Sequence, residues 1–166
     1  MDRTTPSLPD PKLDLVFERV VDLPPAPLWR AWTTPELLLR WFTPAPWRTV
    51  ACEIDLRPGG IFSTVMKSPE GEEFPMVGCY LEIIENEKRV WTNALAPGFR
   101  PAGPATDGPC ITAVITLEAE GQGTRYRALA LHRSEADQQA HAAMHFQEGW
   151  GKALDQLLEV VRPLAS

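Results

Sequence analysis

Through the middle of the chain, apolar side chains recur at every second position in short runs. Near the end they recur every three to four. The first run is Leu13–Asp22 (LDLVFERVVD), rich in residues that suit a pleated sheet, and it predicts a strand. The prolines after it cannot feed a central ladder, so the strand stops there. Pro27 suits the first turn of a helix. The segment PLWRAWTTPELLLRWF predicts two short helices around a Thr-Thr-Pro break, with Thr34 capping the second and Pro35 at its first position.

Four more strands are expected over Thr49–Leu56, Ile61–Lys67, Phe74–Glu85 and Arg89–Leu95, separated by the turn-forming stretches RPGG, SPEGEE and ENEK. In the third of these runs Val77, Cys79, Leu81 and Ile83 alternate with Gly78, Tyr80 and Glu82. That alternation predicts a half-buried antiparallel strand with the first set inward. Residues 96–109 hold four prolines and three glycines and are expected to form a long loop without regular structure. Two further strands, Ile111–Glu118 and Thr124–His132, are joined by the hairpin stretch AEGQG.

A long helical pattern runs from about Ser134, a suitable N-cap followed by Glu135 and Asp137, to Val161. On one continuous helical wheel Ala143, Phe146, Trp150, Leu154, Leu157 and Val161 form an apolar stripe. His141, His145, Glu148, Lys152, Asp155 and Glu159 fall opposite, which places both histidines on a solvated face. A kink between His145 and Gly149 would change the phase of the first segment. The order β, two short α, six β, long α predicts an α+β fold in which one helix covers one face of a curved antiparallel sheet. Residues 1–12 carry three prolines and are expected to be a flexible arm, with a single domain over 13–162.

Two histidines four apart raise the question of zinc. The residue after the first is Ala142, where a zinc protease has glutamate, and only His132 remains as a third imidazole. No metal is expected. Nor do the residues suggest a cofactor, and no nucleophile–base pair stands out. Glu53 and Asp55 share a strand face but read as exposed acids beside a turn. His132, Tyr80 or Glu82 would support catalysis only if they faced a pocket with a perturbed pKa.

The 166 residues carry a net charge of −6 with mixed signs, so no nucleic-acid partner is expected. No apolar run is long enough for a membrane span, and the N-terminus has no signal-peptide core. Cys52, Cys79 and Cys110 form no CxxC pair and suggest free thiols in the cytoplasm. Six tryptophans are the compositional feature that changes the picture. Large flat side chains on the helix, on the strands and near the short helices can line an internal cavity. The candidate cavity residues are Trp41, Met66, Met76, Trp91, Phe146 and Trp150.

Four segments together carry a family resemblance: APLWRAWTTPELLLRWFTP (26–44), EIDLRPGGIFSTVM (53–66), GCYLEIIENEKRVWTN (78–93) and EGWGKALDQLLEVV (148–161). The chain resembles the activator of Hsp90 ATPase homologue 1-like proteins of the START-like helix-grip superfamily, also called SRPBCC or Bet v 1-like. The resemblance spans roughly Leu13–Val161. It implies a sheet wrapped around the C-terminal helix, a mostly apolar cavity between them, and a small hydrophobic or aromatic ligand. Cyclase- or hydrolase-like catalysis in the same cavity and a stress-related interaction module, with a homodimer left open, are the alternatives it implies. The resemblance gives Gly59 and Gly60 positive φ at a tight turn and Arg57 a carbonyl or carboxylate partner. Similar sequences often have glycine where His145 stands, so a helix break there requires His145 to turn left-handed. The eukaryotic co-chaperone has a separate Hsp90-docking domain for which this chain has no room, so direct Hsp90 activation is not expected.

Overall fold

A run of β-branched and aromatic residues opens the fold as β1 (Asp14–Val21), and proline-led turns start α1 (Pro25–Thr33) and α2 (Pro35–Leu38). The structure is a computed structural model that describes residues 8–103 and 109–164. Thr34 holds the N-cap position of α2 through its backbone alone, without a side-chain hydrogen bond. There follow β2 (Arg48–Ile54), β3 (Ile61–Lys67), β4 (Glu73–Ile84), β5 (Lys88–Thr92), β6 (Leu95–Ala96), β7 (Arg100–Pro101), β8 (Thr112–Glu120) and β9 (Gly123–Leu131). The chain then forms α3 (Glu135–Ala142) and α4 (Phe146–Val161).

Seven strands build one antiparallel sheet in the order β1-β9-β8-β5-β4-β3-β2. The fold is α+β, as the sequence pattern predicts. The apolar stripe of α4 packs into the sheet's inner face: Phe146, Ala153, Leu154, Leu157, Leu158, Val160 and Val161 are buried there with Phe17, Tyr126 and Ile115. Glu148, Lys152, Asp155 and Glu159 are exposed on the other side of α4.

Three expectations are corrected. The segment 96–109 is not without regular structure: β6 and β7 pair as a small ribbon, while 104–108 lie outside the described residues. Of the expected arm, residues 1–7 lie outside the described residues, and just beyond Asp10 the Asp14 backbone N–H donates to the Asp10 carbonyl at 2.8 Å. The inward face of β4 is Met76, Gly78 and Tyr80, whereas Val77 is 49 % exposed. A bulge between Tyr80 and Glu82 inserts one residue and reverses the phase, so that only Ile83 of the expected set joins the central cluster.

The third correction concerns the last helix. It is broken, and His145 takes φ 62° and ψ 51°, the left-handed region. The break rotates α3 relative to α4. Ala143 is therefore exposed and His141 is buried, the reverse of the single-wheel reading. Trp150, placed at the centre of the stripe, is only half-buried. Ser134 does cap α3, accepting from the Asp137 backbone N–H at 3.1 Å.

The RPGG turn uses its two glycines differently. Gly59 has φ +83° and supplies the left-handed residue. Gly60 has no positive φ; a Cβ there would sit 2.0 Å from the Asp55 carbonyl oxygen, so it is required by close approach of two backbones. Arg57 Nε donates to Asp55 Oδ2 at 2.7 Å on the exposed side.

Candidate functional site

The curl of the sheet leaves space beside α4 where inward-facing strand residues do not reach the helix. This cavity has a volume of about 620 Å³. Its deep wall is aromatic. Trp32 comes from α1, Trp41 from the turn after α2, Trp91 from β5 and Tyr126 from β9, all almost fully buried. Thr64 and Met66 of β3 and Met76 of β4 form the sheet-side wall, and Phe146, Gly149 and Trp150 of α4 the helix side. Met144 and Trp47 border it and are themselves exposed, so the cavity opens to solvent between them.

All six residues singled out from the sequence, Trp41, Met66, Met76, Trp91, Phe146 and Trp150, border this one space. Trp41 lies deep in the wall, not at the mouth, with 2 % exposure. Sequence reasoning did not place Phe74, Ile111, Tyr126 and His141 there. For Tyr126 a signal existed: Tyr126, Ala128 and Ala130 alternate with Arg125 and Arg127, which marks the inward face of β9.

Most polar tips in the wall are already engaged. Trp32 Nε1 donates to Tyr126 Oη at 3.1 Å, and Trp41 Nε1 donates to the Ala31 carbonyl at 3.1 Å. Burial pushes the Tyr126 hydroxyl pKa well up, so it stays neutral. Both ends of the Asn93 amide are used, one donating to the Pro109 carbonyl and the other accepting from the Ile111 N–H. The wall is therefore apolar with satisfied polar edges, a surface suited to flat uncharged molecules.

The exception is a histidine pair. His132, at the end of β9, places Nδ1 2.7 Å from the Leu13 carbonyl oxygen and Nε2 2.8 Å from His141 Nδ1 on α3. His132 is buried but does not border the cavity, whereas His141 is buried and does. Burial, reinforced by His132 alongside, lowers the His141 pKa from 6.5 to about 4. His145 is swung outward by its backbone and sits 3.8 Å from Glu148. The two histidines thus do not share a metal-binding face, and no group of three His, Cys, Asp or Glu side chains converges among the described residues.

Tyr80 and Glu82 do not line the cavity. Behind its aromatic wall Arg89 is fully buried, with Nη2 donating to Tyr80 Oη at 2.7 Å. Its guanidinium carbon lies 4.3 Å from the Trp32 ring centre, 4.6 Å from Phe62, and 5.1 Å from both Tyr80 and Trp91. Nε and Nη1 of Arg89 have no hydrogen-bond partner. Burial pulls the Arg89 pKa below its ordinary value, while Tyr80 pushes the other way. Lys88 and Glu82 form an ion pair at 2.9 Å. Cys52, near Arg89, has its thiol pKa raised by burial to about 11, which keeps it protonated and poorly nucleophilic.

A sheet curled around a C-terminal helix, with two short helices after the first strand and a space beside the gripped helix, defines a helix-grip protein. The chain belongs to the family described as activator of Hsp90 ATPase homolog 1-like protein, whose model matches residues 22–162. It is similar to a crystal structure of a protein from Nitrosomonas europaea, at 44 % identity over 93 % of this chain and 97 % of that one, with a TM-score of 0.88. A protein from Mycobacterium smegmatis shares the fold at 24 % identity, covering 88 % of each chain, with a TM-score of 0.72. So does an Aeromonas hydrophila protein of the same family description, at 18 % identity over 92 % of this chain and 94 % of that one, with a TM-score of 0.65. Among curated proteins no match to this chain is found. Among the described residues no helix is long and apolar enough to cross a membrane.

Proposed function

We propose that this protein binds a small hydrophobic or aromatic molecule in the cavity between the sheet and α4. The observation that carries the reading is the combination of about 620 Å³ of space with an aromatic and methionine-rich wall whose polar edges are mostly satisfied internally. Rigid indole faces offer area at little entropic cost, and Met66 and Met76 adapt their shape to what is bound. Among the described residues the cavity lining brings no nucleophile and base together, no cysteine lines it, and the partly buried Cys52 is held protonated. Binding is therefore favoured over cyclase- or hydrolase-like catalysis.

Gly149 gives a selective test. It lies on the helix side of the cavity, and a Cβ added there meets no atom within 4 Å. Gly149→Leu should fill the space without clash and should gain helix propensity of up to about 1 kcal/mol. N-phenyl-1-naphthylamine should bind the native protein and quench its tryptophan fluorescence. Gly149→Leu should weaken that binding at least tenfold with an undiminished urea midpoint. No dye binding to the native protein, or equal binding to a folded variant, would refute the reading.

A further inference from the structure

We infer that the molecule held in this cavity is an uncharged aromatic hydroxyl compound, a phenol in the broad sense, whose O–H is received by Nε2 of His141. The inference rests on the binding reading above and deepens it. Its basis is a chain of hydrogen bonds in which each proton's place follows from the group before it.

A backbone carbonyl can only accept. The 2.7 Å contact with Leu13 O therefore puts the His132 proton on Nδ1. A neutral imidazole carries one N–H, so His132 Nε2 is a bare acceptor. Its neighbour at 2.8 Å, His141 Nδ1, must then be the donor. The proton of His141 is thereby fixed on Nδ1, and its Nε2 is left with a lone pair. Nε2 has no hydrogen-bond partner among the described residues, and it is not among the sealed, unsatisfied atoms. It is the accessible nitrogen of a ring that borders the cavity and is 8 % exposed overall. The low pKa of His141 agrees with a ring that stays neutral near pH 7.

Among the buried side chains of the wall, this nitrogen is the one group that can only accept. Free indole N–H groups only donate, and the Thr64 hydroxyl does either. A lone pair on the ring that borders an otherwise apolar wall is best matched by a ligand donor that reaches it. The matching ligand group is a hydroxyl. A carboxylate or phenolate would place an anion against a lone pair, and the buried cation Arg89 is sealed behind Trp32 and Trp91 with 0 % exposure. The flat walls then select an aromatic body for that hydroxyl.

The test uses 2-naphthol and 2-methoxynaphthalene, which share a ring system and differ in whether the oxygen can donate. Isothermal titration calorimetry at pH 7 should give about tenfold tighter binding of 2-naphthol by the native protein, equivalent to about 1.4 kcal/mol. His141→Phe should erase that preference, so that 2-naphthol and 2-methoxynaphthalene bind the folded variant with equal affinity, and a retained tenfold preference overturns the inference. Equal affinity of the native protein for both compounds overturns the inference and leaves the cavity reading standing. Binding of neither overturns both. Nitrogen-15 NMR of the native protein adds a measurement that needs neither ligand nor variant. His141 should show a protonated Nδ1 and a pyridine-type Nε2, the tautomer that free histidine disfavours; protonation at Nε2 would overturn the inference.

Discussion

Replacing Tyr80 by phenylalanine removes one oxygen from the interior, and that oxygen is the hydrogen-bonding partner of a fully buried cation. Arg89 Nη2 donates to it at 2.7 Å, while Nε and Nη1 already lack partners. A hydrogen bond to a charged group contributes about 1.5–3 kcal/mol, and leaving a buried charge without compensation costs about 3–5 kcal/mol. Four aromatic rings, the nearest 4.3 Å from the guanidinium carbon, still hold the cation and offset about 2 kcal/mol. Tyr80→Phe should therefore destabilise by about 2–3 kcal/mol, a fall of roughly 4–12 °C in melting temperature for a chain of this size. Arg89→Met removes the charge together with its desolvation cost and leaves only a neutral hydroxyl without a partner, about 1 kcal/mol. The double variant should lie within about 1 kcal/mol of wild type, because the buried charge and its orphaned partner leave together. Urea denaturation of all four proteins completes the cycle. If the two single costs add to within about 0.5 kcal/mol in the double variant, Tyr80 and Arg89 are not coupled and the account of this cage fails.

Protonation of His141 gives a pH signature. Its folded pKa of about 4 lies below the ordinary 6.5, so between those values the unfolded chain binds the extra proton. This contribution is complete above pH 6.5 and is lost as pH falls towards 4. The full shift corresponds to about 3 kcal/mol, discounted to about 1–2 kcal/mol for the accessible Nε2. The stability difference between wild type and His141→Phe should shrink over that window, and a constant difference would contradict the buried neutral pair. His145→Gly should raise the urea midpoint by an equivalent of about 0.5–1 kcal/mol, since glycine takes the left-handed conformation freely and the exposed contact with Glu148 contributes little; a lowered midpoint would count against strain at the break. Cys52, with a thiol pKa of about 11, should be roughly 0.1 % thiolate at pH 8 and should react with iodoacetamide far more slowly than glutathione. Alkylation at the glutathione rate would show that its thiol is not held up by burial.

The strands were legible because turn chemistry and strand chemistry alternate sharply along this chain. RPGG and ENEK stop two runs where only glycine or a short polar residue tolerates the backbone, as Gly59 and Asn86 do with positive φ. Hydrophobic counting failed where the backbone departs from strict periods. The bulge at Tyr80–Glu82 changes which residues of β4 face inward, and no residue in that stretch announces it. The break at His145 was signalled only by the family resemblance, which has glycine there, because the apolar pattern itself runs through it. That break is what turned His141 from an expected surface residue into a wall residue. The pairing of His132 with His141 depends on the same rotation, so spacing alone could not reveal it. Arg89 defeats sequence reading for a different reason: a charged side chain between Lys88 and Val90 reads as a strand rim, and only the surrounding rings accommodate it inside. The six cavity residues could be grouped from sequence because bulky aromatic and methionine side chains on facing elements leave few other places to go.

The left-handed residue between α3 and α4 divides the last third of the molecule into two parts with separate duties. The apolar stripe gripped by the sheet, Leu154, Leu157, Leu158 and Val161, lies well after the break, whereas His141, Met144 and His145 lie at or before it and border the cavity. Exchanges of the exposed side chains of Met144 and His145 should alter the cavity's border while the stripe from Leu154 onward stays in place. The scaffold and the cavity's border can thus be changed separately, and a redesign of what this cavity could admit should begin at those positions.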